Sequence, residues 1–123
     1  MFGTPTPAAT PAVPADLIID GTEANFMKDV IEPSSTVPVI VDFWAPWCGP
    51  CRMMAPEYEK ACAMLEPFAR LVKVDTEAHQ DAGQRHNIRS IPTIAIFKGG
   101  QEIARISGAR SAPDLAKWVK SHL

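Results

Sequence analysis

The sequence predicts a three-layer α/β domain, a central mixed β-sheet flanked by helices on both faces, with elements in the order βαβαβαββα. Three observations lead there. The run Val39-Ile40-Val41-Asp42-Phe43-Trp44 is nearly continuous in apolar and β-branched residues, as in a central strand covered on both faces. Segments with helical spacing separate the earlier strand-like runs, and strands joined by helical crossovers run parallel. Late in the chain, Lys98-Gly99-Gly100-Gln101 lies between two strand-like runs. Adjacent glycines accept positive φ and mark a hairpin, which requires an antiparallel pair.

Residues 1–15 hold Pro5, Pro7, Pro11 and Pro14 among Ala and Thr, with too few large apolar groups to join a core. They read as a disordered or polyproline-like tail, with a targeting or docking role as the alternative, and the folded domain is placed at residues 16–123. Leu17, Ile18 and Ile19 form a short strand candidate. Thr22 is placed to cap a helix carrying Phe26, Val30 and Ile31 at helical spacing, ended by Pro33-Ser34-Ser35. After the central strand a helix starts near Pro50, which a first turn tolerates, and carries Tyr58, Cys62 and Leu65 as an apolar stripe. Pro56 lies inside it. Leu71-Val72-Lys73-Val74 is the next strand, and a more polar helix follows from about Glu77 to His86. Thr93 to Phe97 and Glu102 to Ile106 form the hairpin, and Leu115, Trp118, Val119 and Leu123 mark a C-terminal amphipathic helix.

Bulk properties exclude several function classes. A chain of 123 residues with 46% apolar and 21% charged residues suits one domain around one core. Its net charge of −2 supplies no long-range field for nucleic acid or an acidic membrane, so neither is expected as a partner. No apolar run approaches the roughly 20 residues of a membrane span. The first basic residue is Lys28, so the positive opening of a secretory signal is missing, and a soluble, cytoplasmic protein is expected. The 3 cysteines do not form the even, spaced framework of a disulfide-stapled secreted domain.

Two of those cysteines carry the chemistry. Cys48 and Cys51 are separated by Gly49-Pro50 at a strand-to-helix junction, where i, i+3 spacing sets their side chains on one turn. A disulfide between them forms and breaks without large backbone movement. The unpaired N–H groups and positive dipole end of the helix favour a thiolate at Cys48. Cys48 is therefore the nucleophile that attacks a substrate disulfide, and Cys51 the thiol that resolves the mixed disulfide. The rival readings are a structural bridge and half of a zinc site. The closed loop is too short to constrain the unfolded chain much, and Cys62, His79, His86 and His122 do not repeat the pair's spacing, so no metal is expected.

Val41-Asp42-Phe43-Trp44-Ala45-Pro46-Trp47-Cys48-Gly49-Pro50-Cys51 resembles the active-site segment of the thioredoxin family. Arg89-Ser90-Ile91-Pro92-Thr93 with Phe97-Lys98-Gly99-Gly100 resembles its second signature region, and the likeness runs from about Leu17 to Leu123. Lys73-Val74-Asp75-Thr76-Glu77-Ala78 and Ile88 to Thr93 look most like the bacterial thioredoxin 2 branch. That branch carries an N-terminal zinc segment with two cysteine pairs, whereas the residues at that place here are a Pro/Ala-rich stretch without cysteine.

The resemblance implies a thioredoxin fold acting as a protein-disulfide reductase, recharged by a separate thioredoxin reductase drawing on NADPH. The chain has no nucleotide motif of its own, so no bound cofactor is expected, and it is expected to act as a monomer on disulfide-containing proteins. Asp42, a carboxylate in an apolar strand, should hold its proton more tightly than usual. The resemblance makes it the general base for Cys51, through water, with Lys73 nearby on the adjacent strand. The plain alternatives are a carboxylate at a wet strand end and a solvated lysine. Base rates favour a trans bond at Pro92, while the resemblance implies a cis-Pro92 beside Cys48. It also implies that Trp47, Gly49, Pro50, Ile91, Pro92, Gly108 and Ala109 form a docking surface where the Ile91 backbone pairs with an extended substrate. Gly108 reads equally well as a simple strand-end glycine. Cys62 reads as a buried small hydrophobe, Trp44 as a neighbour of the active site, Trp118 as core or core edge, and the histidines as surface residues. Two rival functions remain: a thiol oxidase or isomerase on the same fold, and a redox-switched protein-binding module. Gly-Pro between the cysteines, without a histidine next to Cys51, favours the reductant.

Overall fold

A computed structural model describes residues 17–123; the expected tail, residues 1–15, lies outside the described residues. A five-stranded sheet runs through the domain in the order β1-β3-β2-β4-β5. Its strands are β1 (Ile19–Gly21), β2 (Val39–Trp44), β3 (Arg70–Asp75), β4 (Thr93–Lys98) and β5 (Gln101–Ser107). The α-helices are α1 (Gly49–Leu65), α2 (Gln80–Arg85) and α3 (Ala112–Lys120). β3 pairs in parallel with both β1 and β2, while β4 is antiparallel to β2 and β5, so the sheet is mixed.

Alternation along the strands sorts the two faces. Ile40, Leu71, Ile94 and Ile96 pack against Met54, Tyr58, Cys62 and Leu65 of α1 and Leu115 and Val119 of α3. Val41, Phe43, Val72, Val74 and Phe97 face the other way, onto Phe26, Val30 and Ala82. β2 is thus covered on both sides, and its continuous apolar run follows from having no wet face.

Element order follows the sequence pattern, with one local difference in the first connection. Thr22 Oγ1 accepts from Asn25 N at 3.0 Å, as a capping residue does. The segment then winds as a π-helix over Met27–Ile31, with Glu32 N bonding back to Met27 O, and as a 3₁₀ turn over Pro33–Ser35. Pro33 has no N–H with which to extend an α-helical ladder, so the segment ends in these irregular turns. α2 begins at Gln80, later than the expected Glu77, because Asp75 Oδ1 accepts the N–H groups of Glu77 (2.9 Å) and Ala78 (3.2 Å). That side-chain turn draws the first residues out of the helix.

Specific polar bonds join the layers. The Tyr58 hydroxyl is buried between β2 and β3, 3.0 Å from Ile40 O and 2.9 Å from Val72 O, and shares its proton between them. Glu57 of α1 accepts from Ala112 N at 2.8 Å, capping the start of α3 from a neighbouring helix. The hairpin loop Gly99-Gly100 has φ of 65° and 85°, the pair of positive values that a type I′ turn needs. Ser34 fastens its tip, accepting from Gly99 N with its carbonyl (2.8 Å) and from Gly100 N with its hydroxyl (2.9 Å).

His86 corrects the reading of the histidines as surface residues. Its imidazole lies 4.6 Å from the ring of Phe26 and 5.7 Å from those of Phe43 and Phe97. The sequence gives it no helical or strand partner that would announce an aromatic cluster; it sits there because α2 ends against the sheet. Burial lowers its pKa from the ordinary 6.5, outweighing Glu102, which raises it, while Arg105 and Arg85 also lower it.

Tyr58→Phe should lower the free energy of unfolding by about 1–2 kcal/mol, the scale of one buried hydrogen bond lost, in urea denaturation. For His86 the unfolded chain binds the proton more tightly than the native one. Its contribution is therefore fully present above pH 6.5 and is lost as pH falls below that value towards the native pKa. Compared with His86→Phe, the wild type should become progressively less stable on acidification from pH 7 to 5; parallel unfolding curves across that range would contradict this.

Candidate active site

β2 ends at Trp44, and the turn Ala45 to Cys48 delivers the chain to the head of α1. Cys48 is the N-cap residue, with extended backbone (φ −83°, ψ 112°), and its Sγ accepts from Cys51 N at 3.2 Å. Gly49 and Pro50 occupy the first two helical positions, where Pro50 removes an N–H that would have had no partner. Arg52 Nη1 donates to Pro46 O at 3.1 Å and closes the turn from the helix side. Cys48 and Cys51 are joined by a disulfide, their Cα atoms 5.2 Å apart. Both are buried, in a small apolar cluster with Ala45 against which Trp44 and Ile91 pack. Reduction would leave the Cys48 sulfur at the positive end of the helix dipole, accepting from the Cys51 N–H, which favours the thiolate.

A second segment meets the pair from the far side of the sequence. The Ile91–Pro92 bond is cis, and Ile91 O lies 3.8 Å from Cys48 Sγ. Pro92 O accepts from Gly108 N at 2.9 Å, and Gly108 has φ of +97°, a conformation that disfavours any side chain. Thr93 Oγ1 donates to Ser90 O (2.7 Å) and lies 2.9 Å from Ser107 Oγ, so the Ser90 to Thr93 corner is fixed to the end of β5. A Cβ built at Gly49 or Gly108 would meet nothing within 4 Å, which leaves open space beside the helix start and beside the Pro92 corner. Ala109 follows Gly108, exposed.

Trp47 is 65% exposed and forms a wall between this surface and a groove of about 560 Å³. Ile88 and Ile91 line the groove too, and its other walls carry polar side chains, among them Thr76, Gln84, Asn87 and Arg89. Sequence reasoning missed this polar side. No motif announces it; Thr76 is held there by its N–H and hydroxyl donating to Trp44 O (2.8 and 3.0 Å), and Asn87 by a positive φ of 54° after α2.

Asp42 lies within β2, 1% exposed, and its Oδ1 has no hydrogen-bond partner. Burial pushes its carboxyl up to about 7, against the opposing pull of the Lys73 ammonium. Lys73 is its register partner on β3, and the Lys73 Nζ stands 4.5 Å from the centroid of the Trp44 ring. Cys62 is buried on α1, where burial first and then Glu66 and Glu59 push its thiol up to about 11. Among the described residues no group of three or more His, Cys, Asp or Glu could hold a metal ion. No helix among them is long and apolar enough to cross a membrane.

The structure therefore brings Cys48, Cys51 and Ile91 into direct contact, links Pro92 to Gly108 by a hydrogen bond, and sets Asp42 beside Lys73 on one face of the sheet. This geometry can accept a disulfide-bearing segment at an exposed rim and exchange thiols there. Comparison with known proteins points the same way. The family model "Thioredoxin" matches residues 18–121. "Thioredoxin 1" of Nostoc sp. is 43% identical over 102 residues, covering 83% of this chain and 94% of that protein. "Thioredoxin 1" of Synechococcus elongatus gives the same identity and coverage, 43%, 83% and 94%. A "Bifunctional thioredoxin reductase/thioredoxin" of Mycobacterium leprae is 39% identical over 110 residues, which span 89% of this chain and 24% of that protein. The chain belongs to the thioredoxin family, and through its Cys48–Cys51 pair it is a thiol–disulfide oxidoreductase that reduces protein disulfides.

Proposed function

We propose that each turnover begins with the Cys48 thiolate, held at the head of α1, attacking one sulfur of a substrate disulfide. The S–S bond breaks, one substrate sulfur leaves as a thiolate, and Cys48 is joined to the other in a mixed disulfide. Asp42, as carboxylate, takes the Cys51 proton through water. The Cys51 thiolate then attacks Cys48 Sγ, forms the Cys48–Cys51 disulfide and releases the second substrate thiolate. Two electrons have passed to the substrate, whose two thiolates take up one proton from Asp42, which returns to the carboxylate, and one from solvent. The protein is left in the oxidised form seen here. The observation that carries this reading is the placement of Cys48 as helix N-cap against Ile91 O, with a buried carboxyl lacking a partner on the strand that feeds the turn.

Ile91 is the residue whose backbone meets an extended substrate segment; Trp47, Gly49, Pro50, Pro92, Gly108 and Ala109 border that surface. The open space beside Gly49 and Gly108 supports close approach of a partner's backbone. Lys73 assists Asp42 from the adjacent strand. The electrons come from NADPH by way of a separate thioredoxin reductase; the relative that joins "thioredoxin reductase/thioredoxin" in one chain supports such a partnership. The chain works as a monomer in the cytoplasm, through a domain placed at residues 16–123. Within the family it stands nearest the bacterial thioredoxin 2 branch.

NADPH-coupled insulin reduction with a thioredoxin reductase tests the assignment. Wild-type protein should turn over, Cys48→Ser should be inactive, and Cys51→Ser should accumulate the mixed disulfide without releasing product, as seen by mass spectrometry. Asp42→Asn should slow resolution of the mixed disulfide at pH 7 by about 10²-fold or more, on the scale of general-base catalysis. In the wild type the rate of that step should rise with pH through about 7, where Asp42 ionises, and this inflection should vanish in Asp42→Asn. A retained inflection would remove Asp42 from the role.

A further inference from the structure

Lys73 stands between two destinations on one face of the sheet. Asp42 and Lys73 are paired in the β2–β3 register, so their side chains leave the same face, and Trp44, two residues further along β2, shares it. A carboxylate and an ammonium so placed, partly removed from water, ordinarily close on each other. Here they do not. Among the described residues the ion pairs are Lys60–Glu57, His79–Glu23 and Arg105–Glu102; Lys73 makes none, and its Nζ lies 4.5 Å from the centroid of the Trp44 ring. Asp42 Oδ1 is left without any partner. Trp44 is held in turn: its backbone carbonyl accepts from Thr76 twice, and its side chain packs on the cluster of Ala45, Cys48 and Cys51.

We infer that Trp44 is a positioning residue for the reaction: the face of its ring holds the Lys73 ammonium off Asp42, leaving the buried carboxyl free to take and return a proton instead of being fixed as the anion of an ion pair. The inference rests on the role proposed above for Asp42. Attraction between a cation and an indole face survives partial burial, where water competes little for the ammonium. The distance matters because an opposite charge within ion-pair reach lowers a carboxyl pKa by roughly one to three units, and a more distant one by less. Other groups facing Asp42 do not replace Lys73. Tyr58 on α1 is a buried neutral hydroxyl whose proton Asp42 helps to retain. Ile94, the partner on β4, carries no charge. Asp75, opposite Trp44 on β3, is engaged by the N–H groups of Glu77 and Ala78.

The test is a pH titration of the Asp42 carboxyl, followed through its ¹³C NMR signal in the oxidised protein. Trp44→Leu should free the ammonium to approach and lower the Asp42 midpoint by about one pH unit or more. Trp44→Phe, which keeps an aromatic face, should move it by much less. Lys73→Met should raise the midpoint, and adding Trp44→Leu to Lys73→Met should change nothing further. Should Trp44→Leu fail to fold, biosynthetic replacement of tryptophan by a polyfluorinated analogue keeps the ring's shape, weakens its negative face and should shift the midpoint downward. The inference is overturned by an unchanged or raised midpoint in Trp44→Leu, or in the fluorinated protein where that variant does not fold, and equally by a fall that persists without Lys73. Because the titration reads the carboxyl itself, it is independent of whether Asp42 serves Cys51, which the kinetics of Asp42→Asn decide.

Discussion

A strand covered on both faces has nowhere to keep a charge, yet β2 carries Asp42 in the middle of its apolar run. Transfer of a carboxylate into such surroundings is unfavourable unless it finds a partner or a proton. The rest of the site can be understood from that constraint. The carboxyl sits near neutrality instead of in the usual acidic range, the lysine that could pair with it rests on an indole, and the strand hands the chain directly to the cysteine pair. A reactive group that must gain and lose a proton is thereby supplied by the element least exposed to solvent.

Cys48 depends on a different physical source. It gains its character from position, as the residue whose side chain caps a helix whose leading N–H groups have no other partners. The corner at Ile91 and Pro92 reaches it from 43 residues away and is fixed by Gly108 and Ser107 at the end of β5. The site is therefore a meeting of three strand ends with one helix start. Such ends are where a parallel pair in an α/β sheet opens a crevice, and the sheet core behind them stays closed.

How much of this could be read in advance depended on whether a feature was local. The limits of β2, the resolving pair, the Gly99-Gly100 turn and the burial of Cys62 all rest on short-range pattern or spacing, and each is visible in the residues themselves. Asp42 was legible for the same reason, as one polar residue in an apolar run. What was hidden is non-local. The π-helical path of Met27–Ile31 and the late start of α2 depend on Pro33 and on the Asp75 side chain, which override helical spacing. His86 carries no periodic mark, and only the packing at the end of α2 sets it, half-buried, against Phe26 and Phe97. The polar side of the groove that Trp47 lines is assembled from Thr76 just after β3, from α2 and from the segment after it, so no stretch of sequence contains it. The resting place of Lys73 on Trp44 needs a strand register to be known.

The link from Ser34 to the hairpin tip bears on how the molecule can be altered. A two-glycine loop between antiparallel strands has the look of a natural place to graft a peptide or a label, since exposed loop tips are ordinarily tolerant of extra residues. Here both loop amides already have a buried partner, one serine 66 residues earlier, which also bonds back to Ile31 O and ties the turn to the first connection of the fold. Lengthening the loop would draw those amides away and leave Ser34 unsatisfied inside the protein. The part of the surface that looks most permissive is therefore a seam, and grafts belong elsewhere on the chain.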